Sequence, residues 1–274
     1  MNWSLIGLGF ISPRHIQGIR ESGGNLLATF DVNVAKSSVS PRGTKFYSNH
    51  EEFMDSEELK KSDWVAICTP NDTHWRLCKE LLLKDKNVLC EKPLTLTTSS
   101  AISLEYLAQN GRKLYTVLQL RHHPLVKKLK TMSRPNEISI AARVVRDNSY
   151  WNSWKGDESL SGGTLVNLGI HYLDLLIYLL GNEYSVSEKE SGRNFARGKI
   201  LFDDVLASYD FEILDSREGQ DRYIEVDGKR YGLSNKDNLS FEGLHTDVYN
   251  SLVVGKGIPV SEAMKSLKLA EQLQ

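Results

Sequence analysis

Short apolar runs alternate with amphipathic stretches through the first 120 residues, and this alternation limits the fold more than any other feature of the chain. Trp3–Ile6, Leu26–Asp31, Gly43–Tyr47, Trp64–Cys68, Asn87–Cys90 and Leu114–Leu118 read as strands. Helical patterns lie between them, at Ser12–Ser22, at Glu51–Lys60, in the stretch that ends near Leu83, and at Thr98–Asn110. Strands that alternate with helices of this length predict an α/β fold with a parallel, doubly wound sheet. Such a sheet carries its ligands at the carboxyl ends of its strands.

The second half is organised differently. Glu137–Arg146 alternates like a strand, and a Gly/Ser-rich turn at Ser159–Gly163 precedes an apolar helix, Leu165–Leu180, stopped by Gly181. Strand-like segments follow at Lys199–Phe202, Val205–Leu214, Arg222–Val226 and Lys229–Leu233, separated by turn residues. Their closeness predicts an open, mostly antiparallel sheet in an α+β domain. Helical stretches near Phe241–Val254 and Ser261–Leu273 complete the pattern. A length of 274 residues suits two domains, with the boundary near Gln119–Pro124: residues 1–120 and residues 121–274.

Lys plus Arg total 34 and Asp plus Glu total 35, a balance that gives no general attraction to nucleic acid or to an anionic membrane. Cys68, Cys78 and Cys90 fit neither a zinc pattern nor a disulfide framework. They read as small core residues of a protein in a reducing cytoplasm, and no metal site is expected. Met1 leads directly into a strand, so no signal peptide is expected, and no stretch reads as the roughly 18 apolar residues that span a bilayer.

The first turn is Gly7-Leu8-Gly9-Phe10-Ile11-Ser12. One glycine allows a tight turn and a second allows close approach of a pyrophosphate. The N–H groups of the following helix then face the anion. Ser12 replaces the third glycine of the usual fingerprint; it is small enough for close packing and suited to cap the helix, and Pro13 suits the first helical turn. Asp31, at the end of the second strand, is placed to accept adenosine ribose hydroxyls and to repel a 2′-phosphate, which favours NAD over NADP. The alternative is a turn aspartate.

Two further strand ends share that edge: Thr69-Pro70-Asn71 with His74, and Glu91-Lys92-Pro93. Lys92 is either a solvated lysine or a group that holds a reacting hydroxyl. In the second half, Asn167, His171 and Asp174 recur at i, i+4 and i+7 on an otherwise apolar helix. A buried helix must satisfy such a polar stripe, either in a structural network or as an active-site wall. Alcohol oxidation by hydride transfer needs one base for the hydroxyl proton, and Lys92 and His171 are the two candidates. Trp151, Trp154 and Lys155 form an aromatic and basic loop that either packs under the sheet or contacts cofactor or substrate, and Gln119 and Arg121 end the last strand of the first half.

In order and spacing, the Gly-x-Gly turn, Asp31, Thr69-Pro70-Asn71 with His74, Glu91-Lys92-Pro93, and Gly162-Gly163 followed by Asn167 and His171 resemble the Gfo/Idh/MocA oxidoreductase family, over nearly the whole chain. The resemblance implies a Rossmann domain followed by an open sheet domain, with the active site between them. It implies Lys92, His171 and Asn167 as the catalytic set. It also implies NAD bound by Gly7, Gly9, Phe10, Ile11, Asp31, Thr69, Pro70, Asn71, His74, Glu91, Lys92, Gln119, Trp154 and Lys155. Asn167 stands where many members carry aspartate and is therefore a positioning group, not a base. Within the family the chain is similar to the UDP-N-acetylglucosaminuronate 3-dehydrogenase branch through Pro13-Arg14-His15, Tyr115–Arg121, Ser153–Asp157 and Gly243–Asp247. That likeness implies oxidation of the sugar C3 hydroxyl to a 3-keto product for surface-polysaccharide synthesis, by a cytoplasmic homodimer or homotetramer. Lys92, Arg121, Lys155, Asn167 and His171 are the expected substrate contacts, with Lys155 or Arg121 facing the uronate carboxylate. Other expectations are a different sugar or inositol dehydrogenase of the family, or a non-catalytic NAD-binding regulator.

Overall fold

The structure, a computed structural model, describes residues 1–109, 111–233 and 243–274. It divides into two compact units, one of Met1–Thr95, Ser99–Gln119 and Gly243–Ser261, the other of Leu96–Thr98, Leu120–Glu242 and Glu262–Gln274.

In the first unit the chain runs β1 (Asn2–Ile6), α1 (Ser12–Glu21), β2 (Asn25–Phe30), β3 (Lys45–Tyr47), α2 (His50–Met54), α3 (Glu57–Lys61), β4 (Trp64–Ile67), α4 (His74–Leu83), β5 (Asn87–Cys90), α5 (Thr98–Ala108) and β6 (Leu114–Thr116). The six strands pair in the order β3-β2-β1-β4-β5-β6, all parallel. The order reverses between β1 and β4, which makes the β1–α1 turn the switch point where doubly wound sheets hold ligands. The polar helix expected at Glu51–Lys60 is two short helices. Ser56 interrupts it by accepting the Leu59 N–H at 3.1 Å and so capping α3.

The second unit contains α6 (Pro124–Thr131), β7 (Glu137–Val145), α7 (Asn148–Trp151), α8 (Glu158–Ser161), a π-helical turn (Thr164–Gly169), α9 (Ile170–Leu180), β8 (Ser185–Ser191), β9 (Phe195–Phe202), β10 (Val205–Leu214), β11 (Asp221–Val226) and β12 (Lys229–Gly232). The strands pair in the order β12-β11-β7-β10-β9-β8. All neighbours are antiparallel except β7 and β10, which run parallel from Glu137↔Leu206 to Val145↔Leu214. Strand β8 has no counterpart in the sequence expectations. Its sequence SVSEKES is almost wholly exposed and carries no alternation. It is an edge strand laced to β9 by Glu188–Lys199 and Glu190–Arg197 ion pairs, charges of the kind that protect an edge.

The helical run Glu158–Leu180 is, by length and composition, apolar enough to cross a membrane, contrary to the expectation that no such stretch exists. In its most apolar window 67% is buried within the protein, as for a core helix.

The last two helices are α10 (Leu244–Val253) and α11 (Val260–Leu273). The helix start expected at Phe241 lies outside the described residues. The expected division assigns residues 121–274 to the second domain, while α10 lies in the first unit. The reason is packing: Val248, Tyr249 and Leu252 complete the core of Trp3, Ile19 and Trp64. Gly18 of α1 makes room for this, since a Cβ there would lie 2.4 Å from the Tyr249 ring.

Candidate active site

In the first unit the β1–α1 turn is built around two different glycines. Gly7 has φ +92°, and a Cβ on it would lie 2.8 Å from the Cys68 backbone, so the fold itself requires glycine there. A Cβ on Gly9 would meet only the Cys68 carbonyl oxygen, at 4.0 Å. Protein packing makes no such demand at Gly9. Helix α1 begins with no side-chain cap; the N-cap position is Ile11. Ser12, expected to cap, instead donates its Oγ–H to the Gly9 carbonyl at 2.8 Å and closes the turn on itself. Phe10 is 85% exposed beside it. Asp31 fixes the turn from the neighbouring strand, accepting the Leu8 N–H at 2.8 Å through Oδ2 and the Asn33 N–H at 2.8 Å through Oδ1.

His74 is fully buried, with Nδ1 2.7 Å from the Pro93 carbonyl and Nε2 3.0 Å from the Thr69 carbonyl. Burial pushes its pKa down, partly offset by those two carbonyls. Expected at the cofactor, it clamps the loop after β4 to the loop after β5. In the first of these loops the Thr73 hydroxyl donates to the Pro70 carbonyl at 2.7 Å, and Asn71 is buried.

Glu91 is likewise engaged with the protein. Its Oε1 lies 2.9 Å from His15 Nε2 and 3.1 Å from His245 Nε2, and its Oε2 accepts the Lys92 N–H at 3.1 Å. The Tyr249 hydroxyl donates to His15 Nδ1 at 2.8 Å, which leaves Nε2–H to donate to the carboxylate. Burial pushes the Glu91 carboxyl up, but the two imidazole donors outweigh it and hold the group well below the usual carboxylate range. Burial pushes the His15 imidazole down, against the pull of Glu91. Lys92 is half-buried and joined to Pro93 by a cis peptide bond. At the end of the unit the Gln119 Oε1 is buried and has no hydrogen-bond partner among the described residues.

In the second unit the expected stripe of Asn167, His171 and Asp174 divides. Asn167 and His171 are half-buried, and Asn167 Nδ2 donates to the Tyr150 hydroxyl at 2.9 Å. Asn167 lies in the π-helical turn, a local widening that recurs at functional sites. Asp174 is 1% exposed and takes the structural option: Arg121 Nε and Nη2 grip its two oxygens at 2.8 and 2.7 Å, with Glu262 3.4 Å from Nη1. The guanidinium of Arg121, expected at a substrate carboxylate, is thus held by a bidentate carboxylate inside the protein. Lys155 is half-buried with Nζ 5.8 Å from the Trp154 ring centroid.

Sequence reading assigned no chemistry to His15, His245 and Tyr249, whose separation along the chain hides their convergence on Glu91. It also passed over Arg146 and Arg222. The available signal was Arg222 two residues before the buried Ile224, a charge at core parity in a strand.

Residues 1–119 match the Gfo/Idh/MocA oxidoreductase family as its NAD-binding Rossmann fold, and residues 134–208 match its C-terminal alpha/beta domain. The WlbA (WbpB) dehydrogenase of Thermus thermophilus, solved with NAD and alpha-ketoglutarate, is 30% identical with a TM-score of 0.89, covering 100% of this chain and 94% of that one. The chain belongs to the Gfo/Idh/MocA family. The same Thermus dehydrogenase solved with NAD and UDP-GlcNAcA gives a TM-score of 0.87. Glucose-6-phosphate 3-dehydrogenase of Bacillus subtilis is 26% identical over 66% of this chain and 54% of its own length. Inositol 2-dehydrogenase 2 of Saccharopolyspora erythraea is 25% identical over 80% of this chain and 64% of its own length. The chain thus spans less than two thirds of these curated relatives. The family's NAD-binding domain corresponds to the first unit of the fold, and its C-terminal domain falls within the second.

Proposed function

We propose that this Gfo/Idh/MocA protein is an NAD-dependent dehydrogenase that oxidises a secondary hydroxyl of a nucleotide-linked sugar, namely C3 of UDP-N-acetyl-D-glucosaminuronate. The observation that carries the reading is the end-to-end likeness, at 30% identity, to a dehydrogenase solved with NAD and UDP-GlcNAcA.

The residues of the first unit fit the cofactor. Gly9 leaves open space that the fold does not need, the N-terminus of α1 has no side-chain cap, and Gln119 keeps an unanswered buried acceptor. Gly7, Gly9, Phe10 and Ile11 would cradle the pyrophosphate, Asp31 the ribose, and Thr69, Pro70, Asn71 and Gln119 the nicotinamide end, with Trp154 and Lys155 as further contacts. When bound, NAD supplies the hydride acceptor. Lys92 takes the proton of the reacting hydroxyl, His171 holds that hydroxyl and is the alternative base, and Asn167 orients the ring. Glu91 and His74 act from behind by fixing the loops that carry these groups. The product enters surface-polysaccharide synthesis in the cytoplasm, made by a homodimer or homotetramer.

The curated relatives favour a second reading, a dehydrogenase of a free sugar, sugar phosphate or inositol. Purified protein with NAD and UDP-N-acetylglucosaminuronate, glucose 6-phosphate or myo-inositol, followed by NADH absorbance, separates the two. Turnover of the nucleotide sugar alone is the expected result. Turnover of only the unlinked substrates would sink the first reading. Should Lys92→Ala bind NAD normally with no loss of turnover, the lysine would have no catalytic role, and a protein that turns over nothing would be an NAD-binding regulator.

A further inference from the structure

Most arginines on the sheet of the second unit have a carboxylate. Arg143 pairs with Asp210, Arg197 with Glu190 and Arg230 with Asp221. Arg146, Lys155 and Arg222 differ: no carboxylate forms an ion pair with any of them among the described residues. Asp147 is adjacent in sequence, but its Oδ1 accepts N–H bonds at the start of α7.

Strand register places the two arginines. Arg222 opposes Ala142 across β11 and β7, and Ala142 opposes Phe211 across β7 and β10. Directly opposed residues share a face, so Phe211, Ala142 and Arg222 form one row. Arg146 continues the alternation of the buried Ala142 and Val144, and its N–H extends the pairing to the Leu214 carbonyl at 3.1 Å. That face lies under the helix carrying the family's polar pair. A Cβ on Gly169 would be 2.8 Å from the Phe211 ring, and the Tyr172 ring lies 5.6 Å from it. The Arg146 guanidinium stands 5.7 Å from the Tyr150 ring centroid, and the Tyr150 hydroxyl takes the Asn167 amide. The Nε of Arg222 is buried with no hydrogen-bond partner among the described residues.

These cations also feel one another. Burial and the Arg222 charge push Arg146 down against a weaker pull from Tyr150, Tyr172 and Asp147, and burial and the Arg146 charge push Lys155 down. Half-buried like charges without a counter-ion destabilise a fold unless something else neutralises them.

We propose that Arg146 and Arg222 form an anion site beside Asn167 that holds the acidic oxygens of the substrate, either the sugar carboxylate or the diphosphate. This rests on the nucleotide-sugar reading for the identity of the anion, while the existence of the site does not.

The test uses the NAD-loaded protein and its Arg222→Gln variant. Calorimetric titration with UDP-N-acetylglucosaminuronate should show about ten- to hundredfold weaker binding to the variant, the loss expected for a charge-assisted hydrogen bond. UDP-N-acetylglucosamine, which lacks the carboxylate, identifies the source: unchanged affinity assigns the carboxylate, and a parallel loss assigns the diphosphate. A second readout needs no sugar. Sodium sulfate, compared with sodium chloride at equal ionic strength, should raise the melting temperature of the wild type more than that of Arg222→Gln, and without added anion the variant should melt no lower than the wild type. Equal affinities together with equal sulfate gains would overturn the proposal. So would a ligand-free variant that melts several degrees lower, since that marks a structural arginine. A wild type that ignores the nucleotide sugar but shows the Arg222-dependent sulfate gain sinks the substrate reading and leaves the anion site standing.

Discussion

His245 Nε2 lies 3.1 Å from Glu91 Oε1, joining side chains 154 residues apart within the first unit. His15 reaches the same oxygen at 2.9 Å, so one buried carboxylate oxygen ties α1 and α10 to the end of β5. Its other oxygen holds the Lys92 N–H. Replacing His245 by alanine leaves the carboxylate with one imidazole donor and should lower unfolding stability by about 1.5–3 kcal/mol, the range for hydrogen bonds to charged groups. Turnover should fall further than NAD affinity, because the disturbance reaches the backbone of Lys92. Urea unfolding and NAD titration of the variant check both parts.

The same network sets a pH response. The His15 imidazole is pushed below its ordinary value of 6.5, so below that value the unfolded chain binds a proton that the folded one refuses. The Glu91 carboxyl is held well below 4.5, which adds a second loss of the same sign at lower pH. Both groups make stability fall as pH falls, first beginning below about 6.5 and then below about 4.5. Urea midpoints measured from pH 8 to pH 4 should decline accordingly, and His15→Gln should flatten the upper part of the decline.

Arg121 and Asp174 form a buried ion pair in the second unit. Burial pushes Asp174 up, partly offset by Arg121. Asp174→Asn leaves a largely buried guanidinium with Glu262, 3.4 Å from Nη1, as its remaining carboxylate and should cost about 3 kcal/mol, whereas replacing both Arg121 and Asp174 with apolar residues should cost much less. A double-mutant cycle by chemical denaturation decides this. An Asp174→Asn variant as stable as the wild type would show that the pair does not support the fold.

Gly7 and Gly9 should respond differently to the same methyl group. Alanine at position 7 meets the Cys68 backbone and a positive φ, and should lower stability by about 1–3 kcal/mol. Alanine at position 9 has space within the protein, so the melting temperature should hold while NAD affinity drops at least tenfold. Thermal melts paired with cofactor titration separate a glycine required by the chain from one required by its ligand.

The parallel sheet is legible because its central strands β1, β4 and β5 are buried on both faces and its turns carry distinctive residues; the expected strand Asn87–Cys90 coincides with β5 to the residue. Strand β8 is not, because an edge strand facing water needs no apolar pattern. The parallel pairing of β7 with β10 escaped for another reason: register between distant segments leaves no local trace. The family's polar residues were legible as motifs, yet their partners were not. Nothing near Glu91 in the sequence announces His15 or His245, and nothing near Arg121 announces Asp174. The acid that neutralises an arginine is known only once the chain is folded, so the sequence alone does not tell Arg121 with its buried partner from Arg222 without one among the described residues.

The return of α10 to the first unit bears on how the chain matures during synthesis. The nascent Rossmann sheet leaves the ribosome with all six strands but without Tyr249, which later lies against Trp3 at 4.9 Å. Until residues 243–261 emerge, that surface on α1 stays open, and the intervening segment must be made while the earlier part waits unfinished. A translation product stopped after residue 119 should therefore be a holdase client, sticky along the Gly18 side of α1, and not a small autonomous nucleotide binder.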